Sequence, residues 1–228
     1  MKYYSVELPE NEKELGVYPQ QKSVIGKVDW DDPDFFWAHD ISKPFTKNMR
    51  VLDVVLKPKA KVIDFIHAHS FNYGFIISEK ARAIIEKFKL DKYASFIEMK
   101  VYHLENIYKY FFFFTPYIDK YIDFEKSILN KATYSNSSII NLGTGWAKDK
   151  LNEIDLKGSE KIYLNPVAFE KNIPLPDFFA TNTPVILKMK KRTFHSNKHF
   201  ISERLKDVFE IEKITGIHFE EIPQSELK

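Results

Sequence analysis

Residues 95–114 read SFIEMKVYHLENIYKYFFFF, and this stretch decides the fold. From Phe96 to His103, apolar and polar side chains alternate with the period of a half-buried β-strand. Glu105-Asn106 is predicted to turn the chain, and the residues from Ile107 to Phe114 are predicted to return as the second strand of a hairpin. Four consecutive phenylalanines place large rings on both faces of that strand. We therefore expect it to be central in a sheet and covered on both sides.

The clearest helix lies just before this hairpin. Ser78 is a favourable N-cap, and Glu79 suits the positive end of the helix dipole. The apolar face of the helix is predicted to hold Ala83, Ile84, Phe88 and Leu90. Further strands are predicted at residues 1–8, 51–56, 161–164 and 185–189. These elements together predict an α+β fold with a mainly antiparallel sheet and a few packed helices.

One short stretch occurs twice. Phe75-Ile76-Ile77-Ser78-Glu79-Lys80 reappears as His199-Phe200-Ile201-Ser202-Glu203-Arg204. Each copy predicts the end of a strand, a serine cap, an amphipathic helix and a return strand, at residues 95–102 and 216–222 respectively. We interpret the two Ile-Ser-Glu helix-strand units, called the first and second Ile-Ser-Glu motif below, as structural rather than catalytic.

Length and composition limit the class of protein. A chain of 228 residues with 44% apolar residues can bury a full core, and we expect a single domain over residues 1–228, with room for two lobes at about residues 1–60 and 61–228. It contains no cysteine, which excludes disulfides, thiolate metal sites and cysteine nucleophiles. Neither an apolar signal core nor a run of membrane-spanning length is visible, so we expect a cytoplasmic protein without a membrane partner.

The charges are segregated along the chain although the formal net charge is only +2. Five carboxylates and no cation occur between Asp29 and Asp40, whereas six cations and one carboxylate occur between Lys43 and Lys61. Such runs are often solvated faces, or they complement each other inside the fold. They can also mark a docking surface for a charged partner.

Residues 29–37, called the acidic segment below, interleave carboxylates with large aromatic side chains. As a hypothesis we assign partner binding to this segment, because carboxylates speed encounter with a cationic protein and rings supply buried area. The competing interpretation is that the rings pack the segment onto the core while the acids face water. The candidate partner-binding residues are Asp29, Trp30, Asp31, Asp32, Asp34, Phe35, Phe36 and Trp37.

Two patterns of side chains could support catalysis or metal binding. Asp123 and Glu125 would share one face of a strand, as acid-base chemistry or a hard cation needs, but such a pair more often caps a helix or faces water. His67 and His69 would point the same way in an extended chain, and His195 and His199 would share a helical face, but a third ligand at diagnostic spacing is missing.

The motif search therefore predicts a non-enzyme without cofactor or metal. No nucleophile elbow, dinucleotide fingerprint or phosphate-binding lysine loop is present. The stretch Gly143-Thr144-Gly145 is too short to be a dinucleotide fingerprint. An enzyme of unrecognised type stays open as an alternative. So does a nucleic-acid-binding module, because the stretch that begins at Lys188 and ends at His199 mixes cations with an aromatic ring, as phosphate contact and base stacking require. A hairpin tip between two strands explains that stretch better.

The order of these motifs resembles a family of bacterial polymorphic-toxin immunity proteins, first described as a domain of unknown function and typified by a myxobacterial member. The resemblance runs over about residues 51–222 and rests on the two Ile-Ser-Glu motifs, the aromatic hairpin, the Asp123-x-Glu125-x-Ser127 element and the closing Thr215-Gly216-Ile217-His218-Phe219-Glu220-Glu221. A weaker echo lies at Tyr3-Tyr4 and Gly16-Val17-Tyr18-Pro19. It implies a cytoplasmic antidote that binds and neutralises one cognate toxin domain. The acidic segment, separately, suits a cationic target such as a nuclease toxin.

Overall fold

The computed structural model describes residues 2–27, 31–32, 34–37, 39–40, 43–71, 73–116, 119–123, 125–127, 129–133, 139–145, 160–164, 168–169, 174–189 and 192–222. Within these residues the protein has an α+β fold with mainly antiparallel sheets, and the predicted fold class is confirmed. The chain forms two compact units. The first comprises Met1–Tyr117, Pro176–Phe179 and His199–Glu220, and the second comprises Ile118–Leu175, Ala180–Lys198 and Glu221–Lys228. Residues 1–60, set apart above as a possible lobe, belong to the same unit as residues 61–117.

The first unit contains most of the regular structure. Its elements are β1 (Tyr3–Glu7), α1 (Glu12–Leu15), β2 (Gln21–Ile25), β3 (Asp53–Leu56), β4 (Phe65–Ile66), β5 (Phe75–Ser78), α2 (Glu79–Ile85), β6 (Ser95–His103), β7 (Asn106–Phe114), α3 (Glu203–Ile211) and β15 (His218–Glu221). It also holds the first residues of β13 (Phe178–Met189) and the last residues of β14 (Arg192–Ser202).

A six-stranded sheet in this unit is built around the predicted hairpin. The strand order is β2-β3-β6-β7-β5-β4, and every pair is antiparallel except β3 with β6. The hairpin of β6 and β7 runs in unbroken register from Ser95 opposite Phe114 to His103 opposite Asn106. The turn is formed by Leu104 and Glu105, one residue earlier than predicted. The predicted hairpin is therefore confirmed, with its turn shifted by one residue.

The four phenylalanines of β7 are covered on both faces of the sheet. Phe111 and Phe113 are 1% exposed and belong to a core that also contains residues of α2 and α3. On the other face, Phe112 contacts the ring of Phe36 at a centroid distance of 5.2 Å, and Phe114 stacks on Phe45 at 3.9 Å. Large rings on both faces fix this strand at the centre of the sheet because neither face can be turned to water at low cost.

Each predicted Ile-Ser-Glu motif forms a strand, a serine cap, a helix and a return strand. The first consists of β5, α2 and β6, and the second consists of β14, α3 and β15. The end of β14 pairs antiparallel with β1, from Tyr3 opposite Ser202 to Val6 opposite His199. The helices α2 and α3 pack in a common hydrophobic core.

The helix after Ser78 is shorter than its apolar pattern predicts. It ends at Ile85 and buries Ala81, Ile84 and Ile85, whereas Ala83 is exposed. Phe88 and Leu90 lie beyond the helix in non-helical chain that packs against the same core. The predicted apolar face was therefore wrong at Ala83. The residues of α2 that pack into the core are Ala81, Ile84 and Ile85 instead.

The second unit contains antiparallel strand pairs. Its elements are a short 3₁₀ helix (Asp119–Tyr121), β8 (Ile122–Asp123), β9 (Leu129–Thr133), β10 (Ile139–Gly143), β11 (Glu160–Leu164), β12 (Ala168–Phe169) and most of β13 and β14. β9 pairs with β10 and with β11, β11 pairs with β13, and β8 pairs with β12. The strands predicted at residues 161–164 and 185–189 are confirmed within β11 and β13.

Candidate partner-binding surface

Two aromatic side chains of the acidic segment, Phe35 and Phe36, are buried in the protein. Asp29 and Trp30 lie outside the described residues. Phe35 and Phe36 are each only 2% exposed. The ring of Phe36 stacks on Phe71 with centroids 4.9 Å apart and planes 8° from parallel. These two phenylalanines are part of the core, so their rings are not accessible to a partner.

Trp37 is half-buried, and both its indole N–H and its ring make contacts within the protein. Its indole N–H donates a hydrogen bond to the carbonyl of Ser70, and its ring meets Phe35 edge-on at 5.4 Å. A tryptophan held by a hydrogen bond and by ring contacts has little rotational freedom. The acidic segment is thus anchored by its aromatic residues.

The carboxylates of the segment lie nearer the surface and meet the basic stretch that follows. Asp31 is exposed. Asp32 forms an ion pair with the guanidinium of Arg50, and Thr46 Oγ1 donates to Asp34 Oδ1 at 2.8 Å. The backbone joins the same two stretches, since the N–H of Arg50 donates to the carbonyl of Asp34 at 2.7 Å. Part of the charge segregation is therefore local complementarity within the fold.

The turn of the β6–β7 hairpin exposes apolar side chains. We call residues 103–107 the hairpin tip. Leu104 is 70% exposed and Ile107 is 62% exposed. Leu104 also has a φ of 54°, in the left-handed region that disfavours a branched side chain. The sequence did not reveal this feature, because Leu104 lies between the predicted strand, which ends at His103, and the predicted turn at Glu105-Asn106.

The histidines of the first pair, His67 and His69, lie close together in the structure. The rings of His67 and His69 face each other edge-on at 5.3 Å beside Tyr18. Of these residues, His67 lines an open cleft of about 850 Å³. Burial, and then the neighbouring His69, lower the pKa of His67. Among the residues that the structure describes, no group of three or more His, Asp or Glu side chains is arranged to hold a metal ion.

The prediction that His195 and His199 share a helical face was wrong, because both lie on strand β14. In an extended strand, residues four positions apart are separated by roughly 13 Å along the chain, whereas a helix would bring them onto one face within about one turn. His199 is buried, with its ring 4.4 Å from that of Phe75. Burial lowers the pKa of His199 to about 3, so its ring is neutral at physiological pH.

Asp123 and Glu125 do not share a face. The strand ends at Asp123, which is buried, and the chain then turns so that Glu125 is exposed. Asp123 Oδ1 accepts the N–H of Lys126 at 3.1 Å, and its carbonyl accepts Ser127 Oγ–H at 2.7 Å. The predicted common face was wrong because the side chain of Asp123 closes this turn. These hydrogen bonds stabilise the turn, so Asp123 has a structural role.

Two aspartates that the sequence did not reveal hold the Ile-Ser-Glu motifs. Ser78 Oγ donates to Asp64 Oδ1 at 2.6 Å, and Ser202 Oγ donates to Asp177 Oδ1 at 2.5 Å. Each serine oxygen also accepts the helix N–H three residues further on, which confirms both predicted N-caps. Both aspartates precede a phenylalanine, a signal that was available, but they lie 14 and 25 residues before their serines.

Asp177 is the most enclosed of these carboxylates. It is 0% exposed and accepts hydrogen bonds from Ser202, from the guanidinium of Arg204 and from the N–H of Lys89. Burial by itself would raise the pKa of Asp177, but the hydrogen bonds from Arg204, Ser202 and Lys89 outweigh it, and the net shift is downward. The residue is therefore charged and fully engaged in the fold.

The basic stretch between Lys188 and His199 spans the end of β13 and most of β14, and Lys190 and Lys191 lie outside the described residues. In the described part of the chain, no helix has both the length and the apolar character to cross a membrane. No protein-family model, curated protein or solved structure matches this sequence.

Proposed function

We propose that this protein is an immunity protein that neutralises a cognate bacterial toxin by stoichiometric protein–protein contact. The resemblance over about residues 51–222 is the first support, since it rests on the order of several motifs. The second is that Asp123, considered for acid-base chemistry, and His199, considered for metal binding, have structural roles. Asp123 closes a turn, and His199 is a neutral ring within the core. The contacts of these two side chains within the fold leave neither available for chemistry.

The observation that carries the proposal is the construction of the acidic segment. Buried rings at Phe35 and Phe36 and the hydrogen bond of Trp37 hold residues 35–37 against the protein, and Asp31 is exposed. A fixed charged surface loses little conformational entropy when a partner docks. The rings thus act as supports, and the carboxylates are the part that a toxin would meet.

Within this proposal the carboxylates act mainly on the rate of association. Exposed negative charge attracts a cationic protein over distances of about a Debye length, roughly 10 Å at 0.1 M salt. The toxin's active surface would then be covered or distorted by contacts made after encounter. A cationic nuclease is the class of toxin that this charge pattern suits.

The direct test is rescue of cells. The proposal requires a toxin gene beside this one. The C-terminal domain of that toxin should arrest growth, co-expression of this protein should restore it, and the two purified proteins should form a complex of fixed stoichiometry. A toxin with an unrelated C-terminal domain is the control and should not be neutralised. Failure to bind or rescue against the adjacent toxin, or turnover of a substrate by the purified protein alone, would contradict the proposal.

Charge reversal tests the role of the acidic segment. Asp31→Lys should slow association with the toxin by about three- to tenfold at low salt and weaken the salt dependence of that rate, because steering acts on encounter. The melting temperature should stay unchanged, since Asp31 is exposed. Glu212→Lys, also at an exposed acid, is the matched control. Equal association rates for Asp31→Lys and the unmodified protein would remove the segment from the docking surface.

A further inference from the structure

An open cleft of about 850 Å³ lies at the end of β1, where the chain passes into α1. Its polar lining comes from three separate parts of the chain, and the residues are Glu7, Glu10, Asn11, His67 and His218. Among the described residues that line the cleft there is no lysine or arginine. The cleft is therefore negative, and a concave site concentrates the field of such charges.

The two carboxylates of the cleft are available to a cation. Glu7 and Glu10 are exposed, and no ion pair joins either of them to another described residue. His218 is bound to Glu14 instead, with its Nε2 2.8 Å from Oε2. The hydroxyl of Tyr18 donates a hydrogen bond to Glu10, which orients that carboxylate without neutralising it. A cation that enters the cleft thus meets negative charge that the fold has not compensated.

His67 supplies a nitrogen that lacks a partner. Its Nδ1 is buried and forms no hydrogen bond within the described part of the protein. Burial lowers the pKa of His67, so the ring is neutral at physiological pH and one of its nitrogens can accept a hydrogen bond. An unsatisfied buried nitrogen costs free energy, and a bound donor would remove that cost.

One short loop connects the cleft with the acidic segment. His67 lines the cleft, whereas Ser70 and Phe71, three and four residues later, contact Trp37 and Phe36. Four residues span at most about 14 Å. A standard interface of about 800 Å² per partner is wide enough to cover both places. The cleft therefore extends the negative surface that the acidic segment begins.

We propose that the cleft receives the guanidinium of an arginine on the surface of the cationic toxin, and this inference rests on the proposed function. The guanidinium donates to the carboxylate of Glu10 and to Nδ1 of His67, because its planar fork of donors can serve two acceptors at once. The imidazole turns toward the cleft to meet it, since Nδ1 is enclosed in the free protein. The acidic segment governs the rate of encounter, whereas the cleft governs the lifetime of the complex.

The first test uses the full chain and the C-terminal domain of the adjacent toxin, inactivated by substitution. Glu10→Gln should raise Kd about tenfold, mainly through faster dissociation, because a charge-assisted hydrogen bond is lost. Glu12→Gln is the matched control. Glu12 is an exposed acid on α1 that does not line the cleft, so its variant loses the same charge and its Kd should stay within about twofold.

The second test separates the nitrogen of His67 from its ring. His67→Phe keeps an aromatic ring beside Tyr18, and it should leave the melting temperature unchanged or raise it because a buried nitrogen without a partner is removed. Its Kd for the toxin should nevertheless rise about fivefold. His69→Phe is the matched control, since His69 belongs to the same group of rings but does not line the cleft, and its Kd should stay within about twofold.

A third test needs no toxin. N-acetyl-arginine amide, titrated into the free protein at millimolar concentration, should shift the ring resonances of His67 in NMR spectra. N-acetyl-citrulline amide, which has an uncharged urea in place of the guanidinium, should not shift them. The shift should be lost in Glu10→Gln and kept in Glu12→Gln.

Three outcomes would overturn the inference. Equal Kd values for Glu10→Gln and Glu12→Gln would show that the cleft makes no contact with the toxin, while the proposed function stands. Equal shifts with the arginine and citrulline probes would show that the cleft does not select a cation. If the unmodified protein forms no complex with the toxin, the proposed function fails, and the toxin is not the source of the arginine.

Discussion

The first and second Ile-Ser-Glu motifs make equivalent hydrogen bonds in environments that differ in exposure. In both, the serine N–H donates to an aspartate carbonyl at 2.8 Å, and the serine Oγ donates to the carboxylate of the same aspartate. Asp64 serves the first motif and is half-buried, whereas Asp177 serves the second and is fully buried. The same pair of serine–aspartate hydrogen bonds is therefore formed once at a half-buried aspartate and once at a fully buried one.

The two motifs also hold each other in place. The N–H of Thr215, after the second helix, donates to Asp64 Oδ2 at 3.0 Å. The N–H of Lys89, after the first helix, donates to Asp177 Oδ2 at 3.0 Å. Gly216 follows Thr215 with a φ of 81° and passes so close to the carbonyl of Phe65 that a side chain there would collide with it. A cap that is local in most proteins here joins chain segments that are distant in sequence.

The two motifs carry different residues at two equivalent positions, and these residues make different contacts. Arg204 in the second motif forms an ion pair with Asp177, whereas Lys80 at the equivalent place in the first donates to the carbonyl of Glu212. Phe75 in the first motif corresponds to His199 in the second, and the two rings are in contact. The more deeply buried aspartate thus has the additional charged partner, as burial of a carboxylate requires.

The largest difference should appear when the two carboxylates are neutralised. Asp177→Asn should lower the free energy of unfolding by about 3 kcal/mol, because one of its two buried acceptor oxygens becomes an NH₂ group that faces other donors, and the ion pair with Arg204 is broken. Asp64→Asn should cost only about 1 kcal/mol, since water can reach the groups that it leaves unpaired. Urea unfolding of the two variants measures both. Equal losses would show that burial does not distinguish the motifs.

Acid should affect the motifs differently through His199. Its folded pKa of about 3 lies below the value near 6.5 of an unfolded histidine, so the unfolded chain binds the extra proton as the pH falls. This stability is fully present above pH 6.5 and is lost on acidification, by about 2 kcal/mol between pH 7 and pH 5. His199→Leu should remove that part of the pH dependence, whereas Phe75→Leu should leave it. Unfolding at pH 7 and pH 5 compares them, and parallel curves for His199→Leu and the unmodified protein would contradict the assignment.

The smallest difference should come from the caps themselves. Ser78→Ala and Ser202→Ala should each cost about 0.5–2 kcal/mol through the lost N-cap. Ser202→Ala should lie at the upper end of that range, because Ser202 is 0% exposed and donates to the buried Asp177. Thermal or urea unfolding gives the two values, and toxin affinity should not change in either variant. A loss of affinity at constant melting temperature would identify the serines as partner contacts.

The features that the sequence predicted correctly are those set by neighbouring residues. The hairpin around Leu104 follows from alternation of apolar and polar side chains, and the starts of α2 and α3 follow from a serine and a glutamate in adjacent positions. The central position of β7 follows from four rings in a row. The partner-binding assignment of residues 29–37 remains a prediction, with the rings of Phe35 and Phe36 found in the core.

The tertiary structure decided which of these local elements meet. Thr215 and Asp64 are 151 residues apart, and Lys89 and Asp177 are 88 residues apart, so no local period relates them. The same holds for the exposure of Leu104 and for the burial of His199 beside Phe75. Secondary structure could be predicted from the sequence because helix caps and hydrophobic periodicity act over a few residues. The burial of individual residues and the hydrogen bonds between the two motifs could not be predicted, because they depend on contacts that form only when distant segments pack together.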